Sequence, residues 1–485
     1  MYISTVINSI NRILQWTGFL LTRFTGIVWD SFKTNIPQPW GIFPLGNITE
    51  FVRVFGPNAH AWLLKRHRQY GPVYQFKSLA KRMVFVFKLR YLLNIRKAEG
   101  RYPEHFEFKH LRLYRQQRAL PFGLLVSNGK EWGRQRKCIG RVMLGQSSVN
   151  KYYTEIEETA MEAIHSLGQR ADKEFEIDDV ISSYVLQAMS RVLLGIEGNL
   201  PQELMEIIEI AGNNFSDAKT LLSLPTFLFP LLPAWKRHSA RWDRLLQITE
   251  DYIARFRQDT PRGGRKPSVL WELICNSELT VQETHINITD LLLASIDTTT
   301  STMLWVLHEI SRHPSVERKL REEIDHVTGN RHAITLNDLQ NLVFLRSVLK
   351  ESQRLHPVAF FASRYIQEDM SVDNIHIGRG SHVAASMYVI GRNENMFDES
   401  NSFKPERWLT NSPELDDFYN HVPFGFGKRM CIGKRIAETV ILTFLYNLLR
   451  CYSIDSNKHQ KPIDPIFRVI MVPGKPVTMT ITPRL

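Results

Sequence analysis

FGFGKRMCIG, residues 424–433, places one cysteine, Cys431, after two glycines and beside two cations. From Ile436 to Leu449, apolar residues recur at helical spacing, so we predict that Cys431 directly precedes a buried helix. The amides at the start of that helix and the charges of the neighbouring Lys and Arg side chains are expected to favour a thiolate. The glycines allow the backbone to lie close to a flat, bulky group.

A lone thiolate in a rigid loop suits axial ligation of haem iron, and the alternative is a structural buried cysteine. The stretch matches Phe-x-x-Gly-x-Arg-x-Cys-x-Gly at every fixed position, and in this it resembles the cysteine loop of the haem-thiolate monooxygenases, the cytochrome P450 family. The resemblance implies a mainly α-helical fold with a small β region, haem b (iron protoporphyrin IX) as cofactor and Cys431 as the iron ligand. It also implies that Phe424 and Arg429 contact the cofactor.

Composition favours one large catalytic unit. The chain has 485 residues, 43% of them hydrophobic, and we find no linker that divides it, so we predict a single domain over residues 36–485. Four widely spaced cysteines indicate neither a disulfide scaffold nor a zinc site. A net charge of +12 is compatible with nucleic acid, an acidic protein partner or a membrane surface. Nucleic acid is disfavoured because the chain has no compact basic run or RNA-binding motif.

Residues 1–35 are basic, poor in acids and amphipathic, which is typical of a mitochondrial transit peptide. The alternative is a weak membrane-associating anchor, because Ile13 to Trp29 carries a single charge although no uncharged stretch reaches the ~18 residues of a membrane span. The predicted location is the matrix side of the mitochondrial inner membrane, with the endoplasmic reticulum membrane as the alternative.

A long helix is predicted to cross the molecule. Thr280 and Glu283 have the spacing of a capping box, and the helical pattern that follows runs to about Arg312. Its apolar middle is interrupted by Asp297 and Thr298. A threonine hydroxyl can bond to the preceding turn, and a threonine that faces a cofactor beside an acid can relay protons. A solvent-facing polar patch is the alternative.

The same region resembles the family's oxygen-binding motif. The resemblance assigns catalytic roles to Asp297 and Thr298 and places Ala294 in the substrate pocket. Ser295 stands where the family pattern usually has glycine, which predicts a tighter groove.

Trp132 and Arg136 are four residues apart and so share one helical face. They could form an ordinary surface cation–aromatic pair. The resemblance instead implies that both meet a haem propionate, and that Arg364 does so too.

Glu351 and Arg354 are three residues apart on a predicted helix, where they can pair. Together with Arg407 they resemble the family's buried Glu-Arg-Arg triad, whose role is structural. On the same helix, Arg346 and Lys350 form a cationic stripe that is either a solvated face or, by resemblance to mitochondrial members, the docking site of an acidic iron–sulfur ferredoxin.

Coarser features complete the predictions. We expect a helix over residues 50–70, strands at 73–76 and 83–87, and an irregular segment at 101–123. The resemblance to the family implies that this segment closes over the substrate. The stretch Val358-Ala359-Phe360-Phe361 is expected to line the substrate pocket. Residues 221–235 are apolar and broken by prolines, and either pack in the core or contact a membrane surface.

Together these features predict a haem-thiolate monooxygenase that inserts one oxygen atom from O2 into a C–H bond of an apolar substrate. The C-terminal half, including HVPFGFG at 421–427, resembles animal mitochondrial steroid hydroxylases, and residues 99–103 and 114–117 resemble arthropod ecdysteroid hydroxylases. That resemblance implies a steroid substrate and electrons from an adrenodoxin-like ferredoxin with its reductase. The alternatives are a microsomal xenobiotic or fatty-acid monooxygenase that uses a flavoprotein reductase, and a haem-thiolate isomerase or haem sensor.

Overall fold

The computed structural model describes residues 35–39, 47, 50, 53–78, 81–258, 266–276, 278–329, 331, 334–409, 421–455 and 461–484. Of the predicted N-terminal targeting segment only Asn35 belongs to them, so that prediction lies outside the described residues.

Most of the described chain is helical. The α-helices are α1 (Ala59–Tyr70), α2 (Tyr91–Ala98), α3 (Lys109–Gln117), α4 (Gly123–Val126), α5 (Gly129–Met143), α6 (Gln146–Ser166), α7 (Asp178–Leu194), α8 (Gln202–Leu222), α9 (Pro233–Gln258), α10 (Val269–Asn276), α11 (Val281–Arg312), α12 (Pro314–Thr328), α13 (Leu336–Asn341), α14 (Val343–Leu355), α15 (Met387–Ile390) and α16 (Lys434–Cys451). Short 3-10 helices span Leu167–Arg170, Thr226–Leu231, Pro405–Trp408 and Gly427–Arg429.

The strands form small sheets. They are β1 (Val73–Ser78), β2 (Lys81–Val86), β3 (Phe175–Glu176), β4 (Phe361–Tyr365), β5 (Met370–Val372), β6 (Ile375–Ile377), β7 (His382–Ser386), β8 (Tyr452–Asp455), β9 (Pro465–Arg468), β10 (Ile470–Pro473) and β11 (Thr478–Pro483). The largest sheet among them has the order β1-β2-β7-β4, in which β2 and β7 run parallel and the other neighbours antiparallel. The smaller sheets are β10-β9, β3-β11-β8 and β5-β6.

Helix α11 is the centre of the core. It packs against α7, α8, α9 and α14, and its apolar side chains belong to the largest buried cluster. The predicted capping box is confirmed, because Glu283 N donates to Thr280 Oγ1 (3.2 Å) and Thr280 N donates to Glu283 Oε2 (2.8 Å). The predicted end at Arg312 is confirmed as well.

Helix α16 follows the cysteine stretch and is buried as its pattern predicts. Val440, Phe444 and Leu448 recur every four residues, lie on one face and are fully buried. The predicted fold class, mainly α with a small β region in one domain, is confirmed.

Two local predictions need correction, and a third segment is divided between its two alternatives. The helix expected over residues 50–70 is not continuous: among the described residues of that range a turn occupies residues 55–58, where Gly56 and Pro57 disfavour helix, and α1 begins at Ala59. The segment 101–123, expected to be irregular, contains α3. Residues 221–235 are divided between core and surface, since Phe229 is buried whereas Phe227 and Leu231 are 65% and 78% exposed.

Within the described part of the chain, no helix combines the length and the apolar character needed to cross a lipid bilayer.

Candidate active site

The loop around Cys431 is fixed by its own backbone. Cys431 N donates to Phe424 O at 2.8 Å, which closes the loop just before α16 begins. Gly425 (φ +74°) and Gly427 (φ +64°) have left-handed backbone conformations that side chains disfavour. A Cβ on Gly427 would also lie 2.7 Å from Glu99 Oε1. The loop therefore needs glycine at both positions.

Cations hold the loop from the outside. Arg136 donates to Met430 O at 2.7 Å. Arg429 donates to Pro103 O at 2.7 Å, and its guanidinium lies 3.9 Å from the centroid of the Trp132 ring. Trp132 and Arg136 thus share the helix face that meets the loop, as their spacing predicts. Arg136 bonds to the loop backbone and Arg429 covers Trp132, so the contact of Trp132 and Arg136 with a propionate stays a prediction.

Cys431 opens into a cavity of about 450 Å³, called here the cysteine cavity. Helix α11 contributes Ala294 and Thr298 to its wall, and Phe424 and Gly425 come from the loop. The lining is mostly apolar. It therefore brings together the predicted ligand and the predicted catalytic threonine.

A cluster of cations lies at this cavity. Arg364 and Arg429 both line it. Burial and the nearby charges of Arg364 and Arg136 lower the pKa of Arg429 to about 9, with Glu99 and Glu104 acting in the opposite direction. Arg364 is buried, and it donates to Glu99 Oε2 at 2.6 Å. Arg429 thus lies close to two further guanidinium groups that lower its pKa, and such a concentration of positive charge stabilises an anion.

Haem is flat, apolar over its faces and carries two carboxylates at one edge. The cavity offers an apolar lining, glycine at 425 and 433 and a cysteine in the wall, with Arg364 and Arg429 as cations for carboxylates. The residues present fit haem held through the Cys431 sulfur.

The electrostatic prediction for Cys431 needs correction. Burial raises the pKa of the Cys431 thiol above its usual value, although the Gly433 and Lys434 amides and the Arg136 charge oppose the increase. Lys428 and Arg429 donate instead to the backbone of residues 101, 103 and 127. The amides and the Arg136 charge therefore favour the thiolate as predicted, but desolvation outweighs them.

The middle of α11 carries the predicted hydroxyl pattern. Thr298 Oγ1 donates to Ala294 O at 2.7 Å, and Ser295 Oγ donates to Leu292 O at 2.8 Å. Thr298 faces the cavity, whereas Asp297 does not line it. Burial raises the pKa of Asp297 to about 6, with Arg468 acting in the opposite direction.

A second cavity of about 310 Å³, called here the adjoining cavity, shares Ala294, Thr298 and Phe361 with the first. Of the other predicted pocket residues, Phe360 lines the adjoining cavity and Val358 lines the cysteine cavity.

Sequence reasoning missed much of the wall of the adjoining cavity. The additional residues come from the β1-β2 sheet, from the segment around α3, and from α8 and α9: Met83, Phe106, Phe108, His110, Asn214, His238 and Trp242. His238 and Trp242 are four residues apart on α9. This helical spacing is the feature of the sequence that could have indicated that both side chains lie on one face.

The predicted triad forms a buried network. Glu351 is fully buried and accepts from Arg354 Nε (2.9 Å) and Nη2 (2.7 Å) and from Arg407 Nε (3.0 Å). Lys404 N and Trp408 Nε1 also donate to it, at 2.9 Å each. The network ties α14 to the 3-10 helix Pro405–Trp408.

Arg346 and Lys350 belong to a larger basic face. Burial and the neighbouring charges of Arg346 and Lys434 lower the pKa of Lys350, and Glu438 acts in the opposite direction. Arg435, which also acts on Glu438, extends the face along α16. Lys434 and Arg435 were not predicted as part of this surface.

Comparison with known proteins agrees with this geometry. The family model described as Cytochrome P450 matches residues 37–481. The mitochondrial cholesterol side-chain cleavage enzyme of Oncorhynchus mykiss is 28% identical over 468 residues, which cover 93% of this chain and 90% of that protein. The corresponding enzyme of Hypanus americanus is 27% identical, covering 87% and 84%. The mitochondrial 1,25-dihydroxyvitamin D(3) 24-hydroxylase of Rattus norvegicus is 25% identical, covering 93% and 89%.

These matches extend over nearly the whole described chain, and Cys431 lies within the matched residues. The chain belongs to the cytochrome P450 family, the haem-binding monooxygenases.

Proposed function

We propose that this chain hydroxylates an apolar, steroid-sized substrate, ecdysteroid-like in class, with electrons from a ferredoxin in mitochondria. The proposal rests on one observation. Cys431 and Thr298 line the same cavity, and a second, mostly apolar cavity adjoins it. The similar proteins named above are mitochondrial enzymes of cholesterol and vitamin D. Oxygen uptake and product formation with a steroid panel test the proposal.

In this mechanism haem held by Cys431, when bound, supplies dioxygen activation and oxygen transfer. The chain's own residues position the substrate and handle protons. Phe360, Phe361 and Val358 bury the substrate's apolar surface and exclude water. The Thr298 hydroxyl, which is bonded to Ala294 O, can turn to hold a proton toward the cavity. Asp297, with its pKa raised to about 6, is able to take up and release a proton near neutral pH.

Replacing Thr298 by alanine is expected to uncouple the reaction. The ratio of product formed to NADPH consumed should fall about tenfold, because a positioned proton donor contributes on the order of 100-fold to a rate. Thr298→Ser keeps the hydroxyl and should restore the ratio. Thr328→Ala is a matched control, because Thr328 makes the same bond on α12, to Ile324 O at 2.7 Å, and lines neither cavity. Unchanged coupling in Thr298→Ala would remove the proton-relay role.

The ferredoxin proposal rests on the basic face of Arg346, Lys350, Lys434 and Arg435, near the cysteine loop. Complementary charge accelerates the docking of an acidic partner. The double variant Arg346→Glu/Lys350→Glu should slow reduction by a ferredoxin on the order of 100-fold at low salt. The control Arg255→Glu/Arg257→Glu makes the same change in net charge at the exposed end of α9 and should have little effect. Equal rates for both double variants would contradict the proposed docking site.

Electron supply also separates this proposal from its main alternative. Reconstitution with ferredoxin and its reductase should support turnover, whereas a microsomal-type enzyme would require the flavoprotein reductase. An isomerase or haem sensor would show spectral shifts with ligand but no oxygen uptake. We further propose residues 1–35 as a targeting or membrane-associating segment and residues 36–485 as the catalytic domain, with exposed Phe227 and Leu231 contacting the membrane surface.

A further inference from the structure

We propose that the adjoining cavity contains a hydrogen-bonding subsite that selects substrates carrying neutral hydroxyl or carbonyl oxygens at the end remote from the oxidised carbon. The subsite, called here the polar subsite, consists of His110, Asn214, His238, Trp242 and Asp290. The inference rests on the proposed function, because it concerns the substrate of the same enzyme. It adds the chemistry of that substrate. The apolar side chains of the cavity would by themselves predict a plain hydrocarbon.

The first observation is that these side chains are buried without partners. His110, Asn214, His238 and Trp242 are between 1% and 5% exposed, and all line the adjoining cavity. The atoms without a hydrogen-bond partner among the described residues are His110 Nδ1, both amide atoms of Asn214, both ring nitrogens of His238, Trp242 Nε1 and Asp290 Oδ2.

Such a cluster is costly unless a ligand completes it. A buried polar group without a partner costs about 1–3 kcal/mol, and native proteins keep few of them. Here they converge from four helices, α3, α8, α9 and α11, on one cavity whose other walls are mostly apolar. A hydrophobic substrate alone would leave all of them unpaired.

The second observation concerns charge. Burial lowers the pKa of His238 to about 3 and that of His110 well below its usual value, so both rings are neutral at physiological pH. A neutral imidazole offers one donor and one acceptor, and Asn214 offers both kinds. Arg115 is one nearby cation, and it is already paired with Asp290 at 2.5 Å. Mixed donors and acceptors without net charge match hydroxyl and carbonyl groups rather than an anion.

The third observation is position. Asp290 and Thr298 both lie on α11 and both line the adjoining cavity. Their separation of eight residues corresponds to about 12 Å along the helix axis. A rigid polycyclic substrate can therefore place oxygens in the polar subsite while a carbon at its other end lies near Thr298. Lys219 also lines the cavity, so an anionic group is the competing ligand chemistry.

The test measures binding to the haem-loaded enzyme by isothermal titration and by substrate-induced difference spectra. Its probes are 5α-cholestane, cholesterol, cholestane-3β,5α,6β-triol and cholesterol sulfate. The wild type should bind the triol at least about tenfold more tightly than cholestane. His238→Phe and Asn214→Leu should each remove most of that preference, while binding of cholestane is unchanged or tighter. His60→Phe is the matched control, because His60 is buried with an unpartnered Nδ1 but does not line the cavity.

Stability gives an independent readout. If these side chains served the fold, His238→Phe and Asn214→Leu would lower Tm; a ligand subsite predicts an equal or higher Tm, since unpaired buried groups are removed. Three results would each overturn the inference. They are equal affinity of the wild type for the triol and cholestane, an unchanged preference for the triol in both variants, and tightest binding of cholesterol sulfate. A different result would support the polar subsite but refute the proposed function. In that case the variants abolish the preference for the triol, while the wild type shows no oxygen-dependent turnover.

Discussion

Cys431→Ser is expected to abolish the red-shifted ferrous–CO absorption band and all oxygen-dependent turnover. Cys431 is the cysteine in the wall of the cysteine cavity, and the bond from its amide to Phe424 O holds its position there. A serine hydroxyl has nearly the same shape but is a far weaker iron ligand than a thiolate. The loop geometry should survive, so the loss should be one of ligation rather than of folding. Far-UV circular dichroism of the variant checks that point.

Two further variants make the result specific. Cys275→Ser is the matched control, because Cys275 is an exposed free cysteine that lines neither cavity, and it should leave the band unchanged. Cys431→His should retain coloured, haem-loaded protein with the spectrum of nitrogen-ligated iron. A red-shifted band that persists in Cys431→Ser would mean that another residue holds the iron.

The parts of the site that lie close together in sequence were predictable. Three features are each defined by residues only a few positions apart in the sequence: the loop at 424–433, the hydroxyls of α11 and the pair Glu351–Arg354. Their chemistry follows from residue types and intervals read together with the resemblance to the family. The capping box of α11 is equally local, and its two reciprocal bonds are present.

The polar subsite was not predictable in this way. His110 lies in a segment whose charged residues predicted an irregular loop, whereas packing of Leu111 and Tyr114 makes it helix α3. His238 and Asn214 come from separate helices, and only tertiary packing brings them to one cavity. A buried histidine in a single sequence cannot be distinguished from an ordinary core residue.

The balance of forces at Cys431 was also beyond sequence reasoning. The charges near the cysteine are visible in the sequence, but the depth of burial is a property of the whole fold. Desolvation disfavours the charged thiolate, and here it outweighs the amides and the Arg136 charge. The fold therefore positions the sulfur, and a metal ion held by it would supply the further charge that favours a thiolate.

Glu351→Gln is expected to be among the most destabilising single substitutions in the chain. Two carboxylate oxygens of Glu351 accept five hydrogen bonds, from Arg354, Arg407, Lys404 N and Trp408. Removing its charge leaves two guanidinium groups without their counter-charge, one of them almost fully buried. Breaking a buried pair in this way costs about 3–5 kcal/mol, which is a large part of the 5–15 kcal/mol that usually stabilises a domain.

The measurements are the thermal midpoints of haem release and of helix unfolding. Both midpoints should fall together in Glu351→Gln. Glu406→Gln is the matched control, because Glu406 makes an ion pair with Lys319 at 2.7 Å in which both side chains are about half exposed, and such pairs contribute little. Arg354 also donates to the carbonyls of Gly391 and Ser400, so Arg354→Lys should be destabilising although it keeps the charge. If Glu351→Gln unfolded at the same temperature as Glu406→Gln, the network would not stabilise the fold. The link that it makes between α14 and the 3-10 helix at 405–408 would then need another explanation.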